Sequence, residues 1–151
     1  MNPVRRAALI VLGLVLAGAA MRADLSAVRS EPNPERRAKL ALDHAEKTLH
    51  AAEDAYGKGE WEQTAAALEE FRQAVDLSIE SLKATGKKPR KSPGPFKRAE
   101  IRTRRLQRHL EDFLQKMSVE EREQLEPVRA AVQKVHEDLL KAVMVGWESK
   151  S

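Results

Sequence analysis

Residues 33–61 read NPERRAKLALDHAEKTLHAAEDAYGKGEW, and the punctuation of this stretch sets the class of the whole chain. Asn33 carries an N-cap side chain, Pro34 suits the first helical position, and Glu35 puts negative charge where the helix dipole favours it. From there Ala38, Leu42, Ala45, Leu49, Ala52 and Tyr56 recur at alternating spacings of four and three. The stripe stops at Gly57-Lys58-Gly59, a helix C-cap and turn. A mean period of 3.5 residues belongs to helices packed against other helices rather than to a lone helix.

The same period continues outward. A second stripe runs through Trp61, Thr64, Leu68, Phe71, Val75, Ser78 and Leu82 and closes at Thr85-Gly86. A third takes Ala99, Thr103, Leu106, Leu110, Phe113 and Met117, with Phe96 on the same side. A fourth takes Leu125, Val128, Val132, Val135, Leu139 and Ala142. The expectation is an all-α chain with helices over about 34–56, 60–84, 95–117 and 119–146, forming a helical domain over 33–147. Short connections at 57–59 and near 118 imply antiparallel neighbours, and a basic linker over 86–95 closes the middle pair. That pattern describes an antiparallel up-down four-helix bundle. The competing architecture is two helical hairpins that pack loosely or only on a partner, because alanine-rich cores of this size are marginal. Ser118 and Glu121 form a capping box, so a short helix is predicted over 119–125. Pro127 cannot continue it, and a kink or break with a new helix from Pro127 follows.

Composition bounds the rest. The 151 residues include 27 Lys or Arg and 23 Asp or Glu, a formal charge of +4, with 42% apolar types. This excludes a collagen-like, low-complexity or polytopic membrane chain. Residues 1–23 differ from the remainder: Arg5 and Arg6 precede an apolar run over 7–21 that ends in Ala17, Gly18, Ala19 and Ala20. That is the form of a secretory signal, and the expectation is export to the periplasm or exterior, with an uncleaved membrane anchor through 7–21 as the alternative. At about 1.5 Å per residue the run falls short of a hydrocarbon core of roughly 30 Å. Residues 24–32, with Ser26, Ser30, Pro32 and several charges, read as a flexible spacer. The chain has no cysteine, which removes disulfides, thiol catalysis and thiolate metal sites together.

Chemistry is sparse along the stripes. The four histidines are His44, His50, His109 and His136. A bundle metal centre of the di-iron type uses Glu-x-x-His, but Ala41, Lys47, Leu106 and Gln133 stand three residues before them. His44 and His136 lie on stripe shoulders, the place of an ordinary partly buried histidine. Neither Gly-x-Ser-x-Gly nor a glycine-rich phosphate loop occurs. The expectation is a non-enzymatic protein with no catalytic residues, no cofactor and no metal. Residues 52–61, Ala-Glu-Asp-Ala-Tyr-Gly-Lys-Gly-Glu-Trp, with Leu68 and Phe71, resemble the inter-helix turn of a tetratricopeptide repeat. The resemblance covers one turn and does not recur 34 residues on, so it implies a helical hairpin. The segment from Met117 to Leu125 resembles one found in small periplasmic helical stress proteins.

The unusual surface lies over 83–110, where eleven Lys and Arg residues face one acid, Glu100. On a 100° wheel Lys97, Arg98, Arg104, Arg105 and Arg108 point away from the third apolar stripe, with Ile101 exposed among them. Lys97 and Arg98 would sit in the first turn of a helix from 95, against its dipole. Helix stability does not account for them there. Lys87, Lys88, Arg90, Lys91, Lys97, Arg98, Arg104, Arg105 and Arg108 are therefore the candidate anion- or partner-binding residues. The bland reading is a solvated face balanced by neighbouring acids. The functional one is a binding module for an anionic protein or envelope component, with peripheral membrane contact and homo-oligomerisation as further partners. Nucleic acid is disfavoured, since Phe96 alone in this segment offers stacking. A structural or chaperone-like periplasmic role is the first alternative, and a small hydrolase the last.

Overall fold

The computed structural model describes residues 24–147, and the export segment expected over 1–23 lies outside them. All regular structure among the described residues is helical: a lead-in over 24–29, then α1 Pro34–Gly57, α2 Trp61–Ala84, α3 Pro93–Leu114, α4 Val119–Gln124 and α5 Glu126–Val145. Asn33 Oδ1 accepts from the Arg36 amide at 3.0 Å, which caps α1. At its other end Gly59 adopts φ 73°, while the amides of Glu60 and Gly59 donate to the carbonyls of Ala55 and Tyr56. These two bonds make a Schellman closure, which satisfies carbonyls the helix leaves open.

The start of α3 and the lead-in before α1 differ from expectation, each for a local reason. Helix α3 begins at Pro93 rather than 95, because Pro93 and Pro95 occupy first-turn positions whose amides would have no intrahelical acceptor. Lys97 and Arg98 thus lie past the first turn, and the expected dipole penalty on them lapses. The chain breaks at Leu125, so that Pro127 falls in the first turn of α5, where it costs no hydrogen bond. Residues 24–29, expected in a flexible spacer, are helical, with Leu25 only 4% exposed and Val28 packed on the core. Arg37 ties the following turn down by donating from Nη1 to the Glu31 carbonyl at 2.8 Å.

Most heptad positions are buried, with Tyr56 and Trp61 only partly so. Ala38, Leu42, Ala45, Leu49 and Ala52 of α1, Leu68, Phe71, Val75 and Leu82 of α2, Phe96, Leu106, Leu110 and Phe113 of α3, and Val128, Val132, Val135 and Leu139 of α5 share one core. Helices α1 and α2 pack most extensively, and α3 packs mainly on α5. Both pairs are antiparallel, as Arg37 Nε to Ser81 Oγ (2.9 Å) and His44 to Glu70 (3.3 Å) register the first. Glu100 with His136 (3.0 Å) and Glu111 with Arg129 (2.7 Å) register the second.

The arrangement of the two hairpins departs from the expected bundle order. Helix α1 lies beside α3, α2 lies beside α5, and α2 and α3 meet only sparsely. Contacts from α1 to α3 advance in the same direction along both helices: Glu35 with Arg98, Asp43 with Arg102, Glu53 with His109. The neighbours are therefore parallel, and the 85–92 connection crosses one end of the molecule instead of closing an antiparallel middle pair. Complementary charge matches this choice of neighbour, since α1 presents acids along the flank where α3 presents bases.

Candidate functional site

All nine candidate cations are exposed: Lys87, Lys88, Arg90 and Lys91 on the crossing connection, and Lys97, Arg98, Arg104, Arg105 and Arg108 on α3. Their electrostatic situations divide them. Lys87 and Arg98 both reach Glu35, at 2.8 and 3.4 Å, and Arg104 lies 3.6 Å from Glu100. Arg102, outside the candidate set, pairs with Asp43 at 2.7 Å and Glu46 at 3.7 Å. Among the described residues, no ion pair forms at Lys88, Arg90, Lys91, Lys97, Arg105 or Arg108. The balancing acids of α1 thus account for part of the basic segment and leave six charges facing solvent.

Helical geometry gathers the α3 members of that free set. Positions 97, 101, 104 and 108 follow one exposed stripe, so Lys97 and Arg108, with the Glu100-paired Arg104, frame Ile101, which is 45% exposed, and Arg105 lies beside them. The crossing connection adds Lys88, Arg90 and Lys91 at the pole where α3 begins. Trp147 closes over this pole: its ring meets Phe96 edge-on at 5.8 Å, and Lys83 Nζ sits 5.2 Å from its centre. Between α1 and α3 an open groove of about 550 Å³ has an apolar floor of Leu42, Leu82, Pro95 and Ala99. Arg36, Lys39, Arg98 and Arg102 line its rim.

The helix ends also segregate charge. Helices α1 and α3 start at the pole where α2 and α5 finish, and that pole holds the crossing connection. The far pole holds the 58–60 turn and α4 with Glu120, Glu121 and Glu123. There Tyr56 donates to Glu121 Oε2 at 3.1 Å. Its phenol is held above the ordinary value of 10.0, chiefly by desolvation and then by the Glu121 carboxylate.

Three of the histidines bridge helices to carboxylates. His44 meets Glu70 within the first hairpin, His136 meets Glu100 within the second, and His109 meets Glu53 between the hairpins, at 3.3, 3.0 and 2.8 Å. The histidines on stripe shoulders, His44 buried and His136 partly so, thus have structural partners. At the third position a second imidazole joins, because His50 Nδ1 lies 3.4 Å from Glu53 Oε2. Ligand atoms of His50, Glu53 and His109 all fall within 4.8 Å of one another. A search for Glu-x-x-His misses this group, since the order here is reversed: His50-x-x-Glu53. The reversed spacing is visible in the sequence, but the arrival of His109 depends on α1 and α3 being neighbours.

No described helix is long and apolar enough to cross a membrane. No protein-family model, curated protein or solved structure matches the chain.

Proposed function

We propose that the chain is an exported, non-enzymatic helical protein that binds an anionic partner through the basic stripe of α3 and the 85–92 connection. The two hairpins with their common core serve as one bundle that holds this surface rigid. The observation that carries the reading is the set of exposed cations without ion pairs, Lys88, Arg90, Lys91, Lys97, Arg105 and Arg108. A stability role predicts that clustered basic residues find acids, as Arg102 does; these do not. An anionic envelope polymer, an acidic protein or an anionic leaflet supplies the missing charge.

The test is cosedimentation of the chain with anionic and zwitterionic phospholipid vesicles and with an acidic polysaccharide, across a salt series. Binding to the anionic probes is expected to weaken steeply with salt, because exposed charges are screened over about 10 Å at 0.1 M. Joint replacement of Lys97, Arg105 and Arg108 by Gln is expected to cost roughly 100-fold against an anionic leaflet, at about 1 kcal/mol per cation. Salt-independent binding, or binding unaffected by the triple substitution, defeats the electrostatic reading. Export is tested by N-terminal sequencing of the mature protein, and an intact Met1 in a soluble cytoplasmic fraction argues against it.

A chaperone-like reading draws on a different observation, the exposed Leu140, Met144 and Val145 near the end of α5. It requires suppression of client aggregation that survives the triple substitution.

A further inference from the structure

We propose that His50, Glu53 and His109 form a binding site for a divalent transition-metal ion of the zinc class, spanning the two hairpins. Along the α1–α3 interface Glu35 faces Arg98, and Asp43 and Glu46 face Arg102. At the next rung the base on α3 is His109 rather than arginine, and α1 adds His50 beside its acid. An arginine there would complete an ion pair and exclude a cation. Two imidazoles on one carboxylate make a ligand set instead.

The geometry suits that set. His50 and Glu53 are three residues apart and therefore share a face of α1. The imidazole rings of His50 and His109 stand 5.2 Å apart at 63°, and a nitrogen of each lies against a different oxygen of Glu53, at 3.4 and 2.8 Å. Zinc bonds of about 2.0–2.1 Å in a tetrahedron separate ligand atoms by roughly 3.3–3.4 Å. The ligand atoms, all within 4.8 Å of one another, already lie near that separation. Three protein ligands leave the fourth position to water, the pattern of an open zinc site. Two imidazoles favour zinc, copper or nickel over magnesium and calcium, which take oxygen.

Exposure and redundancy separate this group from the other histidine pairs. His44 with Glu70 and His136 with Glu100 each pair one imidazole with one carboxylate, and those side chains are at most 17% exposed. His50 is 59% exposed and is not needed to satisfy Glu53, which His109 already engages. The site thus opens to solvent, while its two anchoring ligands come from different hairpins. An ion bound there ties α1 to α3 and stabilises the folded chain by an amount that grows with the logarithm of its free concentration.

The test titrates the full chain with zinc against a chromophoric zinc indicator, and separately with cobalt(II), reading visible absorption. One equivalent per chain and a tetrahedral cobalt spectrum are expected. His50→Ala, Glu53→Gln and His109→Ala should each weaken zinc binding by at least tenfold, whereas His136→Ala should leave it unchanged. His50→Ala alters an exposed side chain, so its helicity by circular dichroism should match the parent and isolate the ligand effect. Absence of zinc binding overturns the proposal, as does binding that persists in His50→Ala and His109→Ala, or that falls equally in His136→Ala.

Discussion

At the residue scale, buried polar atoms provide the most direct tests. Thr103 is fully buried on α3, and its hydroxyl has no partner. An unmatched buried hydroxyl carries its desolvation cost, so the near-isosteric Thr103→Val is expected to stabilise the chain by about 1 kcal/mol in urea unfolding. His44→Ala does the opposite. It leaves the Glu70 carboxylate buried without its imidazole, and a loss of about 1–3 kcal/mol is expected in the same measurement. Tyr56 gives a pH signature. A raised acid pKa means the neutral form is favoured by folding, so the contribution is present below pH 10.0 and is lost as pH rises through the elevated value. Because Tyr56 is the one tyrosine, near-ultraviolet tyrosinate absorbance reports it alone, and Glu121→Gln should move its midpoint back toward 10.0. The residue-scale roles were partly legible in sequence. The heptads mark Thr103 as inward-facing, but nothing near it in the chain says that its hydroxyl goes unmatched.

At the element scale, the helix ends govern. Gly59 holds φ 73° at the close of α1, with open space where a Cβ would go. Gly59→Ala therefore costs backbone strain alone, about 1–2 kcal/mol, which thermal unfolding should register. Asn33, Pro34 and Gly59 made the first helix readable, and Ser118 with Glu121 did the same for α4. The start of α3 was not readable in the same way, because Pro93-Gly94-Pro95 looks like linker unless its amides are known to be superfluous. Pro32 and the serines likewise hid the lead-in, whose order comes from Leu25 entering the core and Arg37 holding Glu31. Local composition does not contain either contact.

At the scale of the whole molecule, heptad stripes name the buried face of each helix without naming the neighbour it meets. All-helical character and the inward residues follow from the stripes, whereas the parallel pairing of α1 with α3 depends on contacts far apart in the chain, among them Glu35 with Arg98 and Asp43 with Arg102. The candidate site divides along the same line. Exposure of the basic segment was visible from the wheel, but its split into acid-paired and unpaired cations required the α1 flank of Glu35, Asp43 and Glu46. That flank makes a molecule-wide prediction. Replacing Asp43 and Glu46 by Asn and Gln frees Arg102 and should strengthen anionic-vesicle binding, while the reverse change at Lys97, Arg105 and Arg108 weakens it.

The chain enters α1 and leaves α5 at the same pole. Tension applied between those two points does not drag one helix lengthwise past another. It pries the hairpins open from that pole, breaking interfaces one turn at a time, so the molecule should yield at low force despite a continuous core.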